Sequence, residues 1–188
     1  VFVNLDQRGP SLGEVFATVS ETIAPIRLGE VTFHERVVYD VKANWKVYVE
    51  NYLEGYHVPI VHPELMKLYD FSSYETELSE HWSLQHSPLT EEEHIYGTGG
   101  RAWYYCVFPN FMLNILPGRL QTNRVVPTGP ESCRVEFEYF YADPESEKTR
   151  ARIDADLSFA DLVQDEDIEI CEHVQRGLAS RGYDRGRF

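Results

Sequence analysis

The chain has 188 residues, 43% of them apolar and 13% aromatic, which is enough for one domain with a substantial core. Its formal net charge of −14 argues against a phosphate backbone as partner, so no nucleic-acid binding is expected. No run approaches about 18 apolar residues, the start VFVNLD lacks a signal peptide's basic segment, and three widely spaced cysteines (Cys106, Cys133, Cys171) suit reduced thiols in the cytoplasm.

Val1 to Leu5 is a short strand-like run, and Gln7 to Gly13 reads as a turn or linker. Val31 to Val41 is β-branched and roughly alternating, which predicts a strand. Trp45 to His57 reads as a helix whose end is disturbed by Gly55 and Pro59. Tyr74 to Ser87 is extended, and Glu91 to Gly100 is a polar, glycine-rich loop. Strands are predicted at Ala102–Val107, Phe111–Leu116, Leu120–Val126 and Ser132–Tyr141, separated by Pro, Gly and Asn as in an antiparallel meander. Pro144 to Ser180 is one long helical pattern. The class is α+β, an antiparallel sheet with helices segregated onto it.

The densest chemistry lies in Asn44 to Pro63, NWKVYVENYLEGYHVPIVHP. It carries Glu54, His57 and His62 in a short apolar segment. Imidazole nitrogens suit several transition metals, and two His with one carboxylate form the facial triad of non-haem Fe(II) oxygenases. On a helix, Glu50, Glu54 and His57 share a face, but His62 would be rotated about 140° away from His57. A kink at Pro59 lets the two rings converge. The zinc-protease spacing is absent, since Val58 stands where its Glu would be. The alternative is two unrelated histidines, each satisfied by a backbone carbonyl.

The last helix offers a third ligand. Ile153, Leu157, Ala160, Gln164, Asp167, Cys171, Val174 and Leu178 recur at helical spacing and form one core-facing stripe. Gln164 and Asp167 are its polar members. A buried carboxylate must be hydrogen-bonded, protonated or metal-bound, so Asp167 is set apart from Asp165, Glu166 and Glu169, which are expected to form a solvated face.

Taken together, NWK, ENYLEGYH, a His after four more residues and then Pro resemble the catalytic-domain motif of the Rieske-type non-haem iron oxygenases. These are the α subunits of ring-hydroxylating oxygenases. VQDEDIEICEHVQRGL resembles the family's helix with the carboxylate ligand. FPNFMLNILPGRLQTNRVVPTGP is similar to strands of the branch that includes choline and carnitine monooxygenases. The resemblance implies a helix-grip (START-like) fold, a curved antiparallel sheet wrapped on a long C-terminal helix. It implies that His57, His62 and Asp167 bind one mononuclear Fe(II). Glu54 is then the bridging acid, on the electron path to a Rieske domain of a neighbouring subunit. Aromatic dioxygenases usually have Asp there, and Glu resembles the quaternary-ammonium branch.

A Rieske [2Fe-2S] centre needs a Cys-x-His and a Cys-x-x-His in this family. Cys171-Glu172-His173 spells the first, but residues two apart on a helix point about 200° apart. No Cys-x-x-His follows Cys106 or Cys133. The cluster is therefore expected in the full-length protein and not in this chain. Val1 to Asp6 resembles the last strand of the Rieske domain. Residues 1–30 are then an edge of that domain plus linker, and residues 31–188 a catalytic domain lacking its final helix. The implied partners are O2, a small substrate, an NAD(P)H-dependent reductase and two further copies in a homotrimer.

The substrate that the resemblance implies is an arene or an N-methyl or quaternary ammonium compound. Trp82, Trp103, Tyr104, Tyr105, Phe108 and Phe111 are candidates for an aromatic cage or for core. His81, His86 and His94 are expected to be structural or exposed. Rival readings are a zinc-dependent hydrolase using the same ligands and a non-enzymatic helix-grip domain that binds an apolar molecule.

Overall fold

The computed structural model describes residue 3, residues 8–24 and residues 27–186. The strand expected over residues 1–5 thus lies outside the described residues, apart from Val3. Helix α1 (Leu12–Ile23) comes first, then strand β1 (Val31–Val41). Helix α2 (Trp45–Tyr52) and the one-turn helices α3 (Val58–Val61) and α4 (Pro63–Met66) follow. Next are β2 (Glu75–Leu78), β3 (Trp82–Pro88), a two-residue ladder β4 (Glu93–His94) and β5 (Gly97–Thr98), then β6 (Arg101–Val107) and β7 (Phe111–Leu116). Strands β8 (Arg119–Gly129) and β9 (Ser132–Ala142) lead into the long helix α5 (Glu147–Leu178).

Seven strands form one antiparallel sheet in the order β1-β9-β8-β7-β6-β3-β2. The two-residue period of a strand gives the sheet two different faces. Cys106, Met112, Val125, Cys133, Val135, Phe137, Tyr139 and Tyr141 point to one face, where they pack with residues of α2 and α5. Leu84, Tyr105, Leu113 and Ile115 point to the other, under α1 and its fully buried Val19. The architecture is therefore a large antiparallel sheet with a long C-terminal helix.

Four local findings refine or correct the sequence expectation. Leu12 and Gly13 begin a helix instead of ending a linker. Ser11 accepts from the Glu14 backbone N–H, and the Glu14 carboxylate accepts from Ser11 N–H, a reciprocal cap. The helix expected over Trp45–His57 stops at Tyr52, so Glu54 and His57 do not share a helix face with Glu50. The extended stretch Tyr74–Ser87 is a hairpin of two strands, β2 and β3. Within α5, Val174 is exposed although the stripe places it inward, whereas Asp156 lies off the stripe and is buried.

Candidate metal centre

Asn44 starts α2 by accepting from Lys46 N–H, and Val47, Tyr48 and Val49 bury the helix against the sheet. After Tyr52 the chain turns through Gly55. A Cβ at that position would stand 2.6 Å from a ring carbon of Tyr74, so only glycine lets the turn pass this close. His57 then caps α3, and His62 joins α3 to α4. Pro59 and Pro63 sit in the first turns of these helices, where no N–H is required. A single helical turn bracketed by His57 and His62 is what brings the rings together, in place of a kink in one longer helix. Their centroids are 5.0 Å apart.

Asp167 of α5 completes the group. One ligand atom from each of His57, His62 and Asp167 lies within 4.8 Å of the others. Asp167 Oδ1 is 3.0 Å from His62 Nε2 and 3.8 Å from His57 Nε2. Each imidazole has its other nitrogen on a carboxylate. Glu54 Oε1 is 2.8 Å from His57 Nδ1, and Glu166 Oε2 is 2.7 Å from His62 Nδ1. Such pairing makes Nδ1 the protonated nitrogen and turns Nε2 toward Asp167, where it could serve as the donor atom to a metal. Asn51 Nδ2 donates to Asp167 Oδ1 at 2.6 Å. Burial of His62 disfavours its charged form, but hydrogen bonding and charge from Asp167 and then Glu166 outweigh it, so its pKa is raised.

Glu54 stands outside this trio. Its Oε1 faces the His57 ring and its Oε2 accepts from His57 backbone N–H. Glu166 corrects the expectation of a purely solvated acidic face, because it holds His62. It sits beside Asp167 in one acidic run, and nothing in that run says which further carboxylate turns inward. Asn51, the second residue of ENYLEG, is likewise marked by no pattern in the sequence.

The trio opens onto a cavity between the sheet, α2 and α5, lined by Tyr48, Tyr52, Tyr69, Tyr74, Tyr96 and Tyr104 among others. All six hydroxyls have protein partners. Tyr48 bonds Gln164 Oε1 at 2.7 Å, Tyr52 bonds Asn114 Oδ1 at 2.5 Å, Tyr69 and Tyr104 meet at 2.6 Å, Tyr74 bonds Gln85 Oε1 at 2.9 Å, and Tyr96 bonds Asp156 Oδ1 at 2.5 Å. Burial raises the Tyr48 and Tyr52 pKa values, so these hydroxyls stay protonated. What the tyrosines chiefly leave for a ligand is ring surface. Arg119 also lines the cavity, but its Nε lies 2.9 Å from buried Asp156 Oδ2, near enough for a charge pair though not aligned as a hydrogen bond. Asp156 also accepts from Tyr141 at 2.5 Å.

Of the aromatic candidates, Tyr104 lines the cavity. Trp82, Trp103, Tyr105 and Phe111 instead pack on the far face under α1, and Phe108 is exposed. His81, His86 and His94 do not line the cavity, and His86 is held between Glu77 and Arg101. The polar row Arg119, Gln121, Asn123 on β8 also lines it, and its alternation within RLQTN is the sequence signal that could have found it.

The class that fold and site define is a mixed α/β domain in which a two-His, one-carboxylate group that could hold a metal ion lines a tyrosine-rich cavity. Residues 28–188 match the family model described as ring hydroxylating alpha subunit (catalytic domain), and the chain belongs to this family. A choline monooxygenase of Arabidopsis thaliana, described as chloroplastic, is 42% identical over 80% of this chain and 36% of its own length. The carnitine monooxygenase oxygenase subunit of Acinetobacter pittii is 26% identical over 97% of this chain and 51% of its own length. A solved quaternary ammonium Rieske monooxygenase superposes with a TM-score of 0.82 at 24% identity, covering 96% of this chain and 49% of that one. The last likeness shows the fold alone. The chain thus spans between about a third and a half of these relatives' lengths. Among the described residues, no helix is long and apolar enough to cross a membrane.

Proposed function

We propose that the chain is the catalytic domain of a Rieske-type monooxygenase that hydroxylates a small quaternary ammonium compound at a mononuclear iron. The observation that carries this reading is the convergence of His57, His62 and Asp167. Two neutral imidazoles and one carboxylate are a donor set that suits Fe(II) and leaves coordination positions open. When bound, Fe(II) supplies the activation of O2. His57 and His62 offer Nε2 to it, while Glu54 and Glu166 hold their Nδ1 atoms in place. Asn51 steadies Asp167.

Glu54 is the bridging acid in this reading, facing a Rieske [2Fe-2S] domain of a neighbouring subunit in a homotrimer. Electrons come from an NAD(P)H-dependent reductase. The support for this role is position: Glu54 contacts His57 and its side chain stays 21% exposed. The long helix lying on one sheet face supports the helix-grip assignment, and three buried free cysteines suit a reducing compartment such as the cytoplasm.

The cavity supports the substrate class. A quaternary ammonium group makes no conventional hydrogen bond and binds the faces of aromatic rings. The six tyrosines, with every hydroxyl already engaged, offer such faces. Charge alone does not select a cation, because Fe(II) offsets Glu54 and Asp167 and Arg119 is matched by Asp156. With a Rieske-domain partner and reductase supplied, the protein is expected to couple NAD(P)H oxidation and O2 uptake to hydroxylation of a trimethylammonium compound. Turnover of arenes with none of trimethylammonium compounds would overturn the substrate assignment.

A further inference from the structure

We propose that Gln164 is a specificity-determining residue that donates a hydrogen bond to an oxygen on the substrate; this rests on the quaternary ammonium reading above. Gln164 lies on α5 one turn before Asp167, so the two share a helix face. It lines the same cavity as the metal-ligand trio and is 2% exposed. Its Oε1 accepts from Tyr48, which fixes the amide orientation. Its Nε2 is buried and has no partner among the described residues. A buried unpaired donor is costly, and an amide nitrogen carries two N–H groups.

Arg119 Nε is the other fully buried cavity-lining nitrogen without a hydrogen bond among the described residues, but its charge is matched by Asp156. Gln164 Nε2 is therefore the neutral amide donor of the cavity that is fully buried and left without a partner among the described residues. The hydroxyls of Tyr48, Tyr52, Tyr74 and Tyr96 spend their protons on side-chain oxygens. In the Tyr69–Tyr104 pair one hydroxyl donates to the other, and the accepting hydroxyl keeps one proton of its own. A ligand with an oxygen in reach completes the Gln164 amide. A ligand of the same shape with a methyl group there leaves it unpaired. Sites of this kind reject the analogue that lacks the polar atom. The substrate class is thereby narrowed from any trimethylammonium compound to one bearing a hydroxyl or carbonyl oxygen.

The test is calorimetric binding of choline and of trimethylpropylammonium, its isostere without the oxygen, to anaerobic iron-loaded protein. The wild type is expected to bind choline about tenfold more tightly. Gln164→Met and Gln164→Leu both remove the donors without adding an acceptor for the choline hydroxyl. In each, the two affinities are expected to fall within about twofold of one another, with trimethylpropylammonium binding retained. If the Met variant does not fold, the Leu variant decides alone. A preference that persists in the folded variants, or is absent from the wild type, overturns the role of Gln164. Failure of both cations to bind iron-loaded wild type would instead sink the substrate reading, and this inference with it.

Discussion

Glu166 makes a single contact that matters to the site, its 2.7 Å hydrogen bond to His62 Nδ1. It holds the ring orientation that turns Nε2 toward Asp167. Groups in this position typically contribute about tenfold to a hundredfold to metal affinity. Glu166→Ala is therefore expected to weaken Fe(II) binding by about 10–100-fold in an anaerobic titration. Glu169→Ala, on an exposed position of the same helix, is expected to leave it unchanged. Equal affinity in wild type and Glu166→Ala would show that His62 is oriented by packing alone. The sequence does not separate these two glutamates, because both lie in one acidic run and the difference is set by how closely the His62 junction approaches α5 in space.

At the scale of elements, the turn between α2 and α3 decides the geometry. Gly55 lies against Tyr74, with a Cβ position 2.6–3.0 Å from three of its ring and hydroxyl atoms. Gly55→Ala must displace a cavity-wall tyrosine or the turn that carries Glu54. It is expected to cost about 1–3 kcal/mol in denaturant unfolding, in the range of overpacked cores. No loss of stability would mean that Tyr74 moves freely. The strands β6 to β9 and helix α5 are legible in the sequence because period and punctuation agree there. The length of α2 is not, since its pattern runs on past Tyr52 and the stop comes from the tertiary packing of Gly55. Helix α1 carries a readable signal, Ser11-Leu12-Gly13-Glu14, a capping box hidden in a stretch rich in turn residues.

Across the whole molecule, the buried thiols tie stability to pH. Burial pushes Cys106 and Cys133 up from 9.0 to about 11. Near pH 9 the unfolded chain begins to lose these protons while the folded chain keeps them. The folded state then binds more protons than the unfolded one, so stability falls as pH rises from about 9 to about 11. Buried tyrosines with raised pKa values act in the same direction. The urea midpoint is expected to be lower at about pH 10.5 than at about pH 8, and an unchanged midpoint would contradict this. The most direct test of the metal centre is the iron content of the protein and its variants after anaerobic Fe(II) loading and removal of free metal. One Fe(II) per chain is expected in the wild type, and none in His57→Ala, His62→Ala or Asp167→Ala. Stoichiometric zinc with no iron, or full iron retention in the folded Asp167→Ala variant, would contradict it.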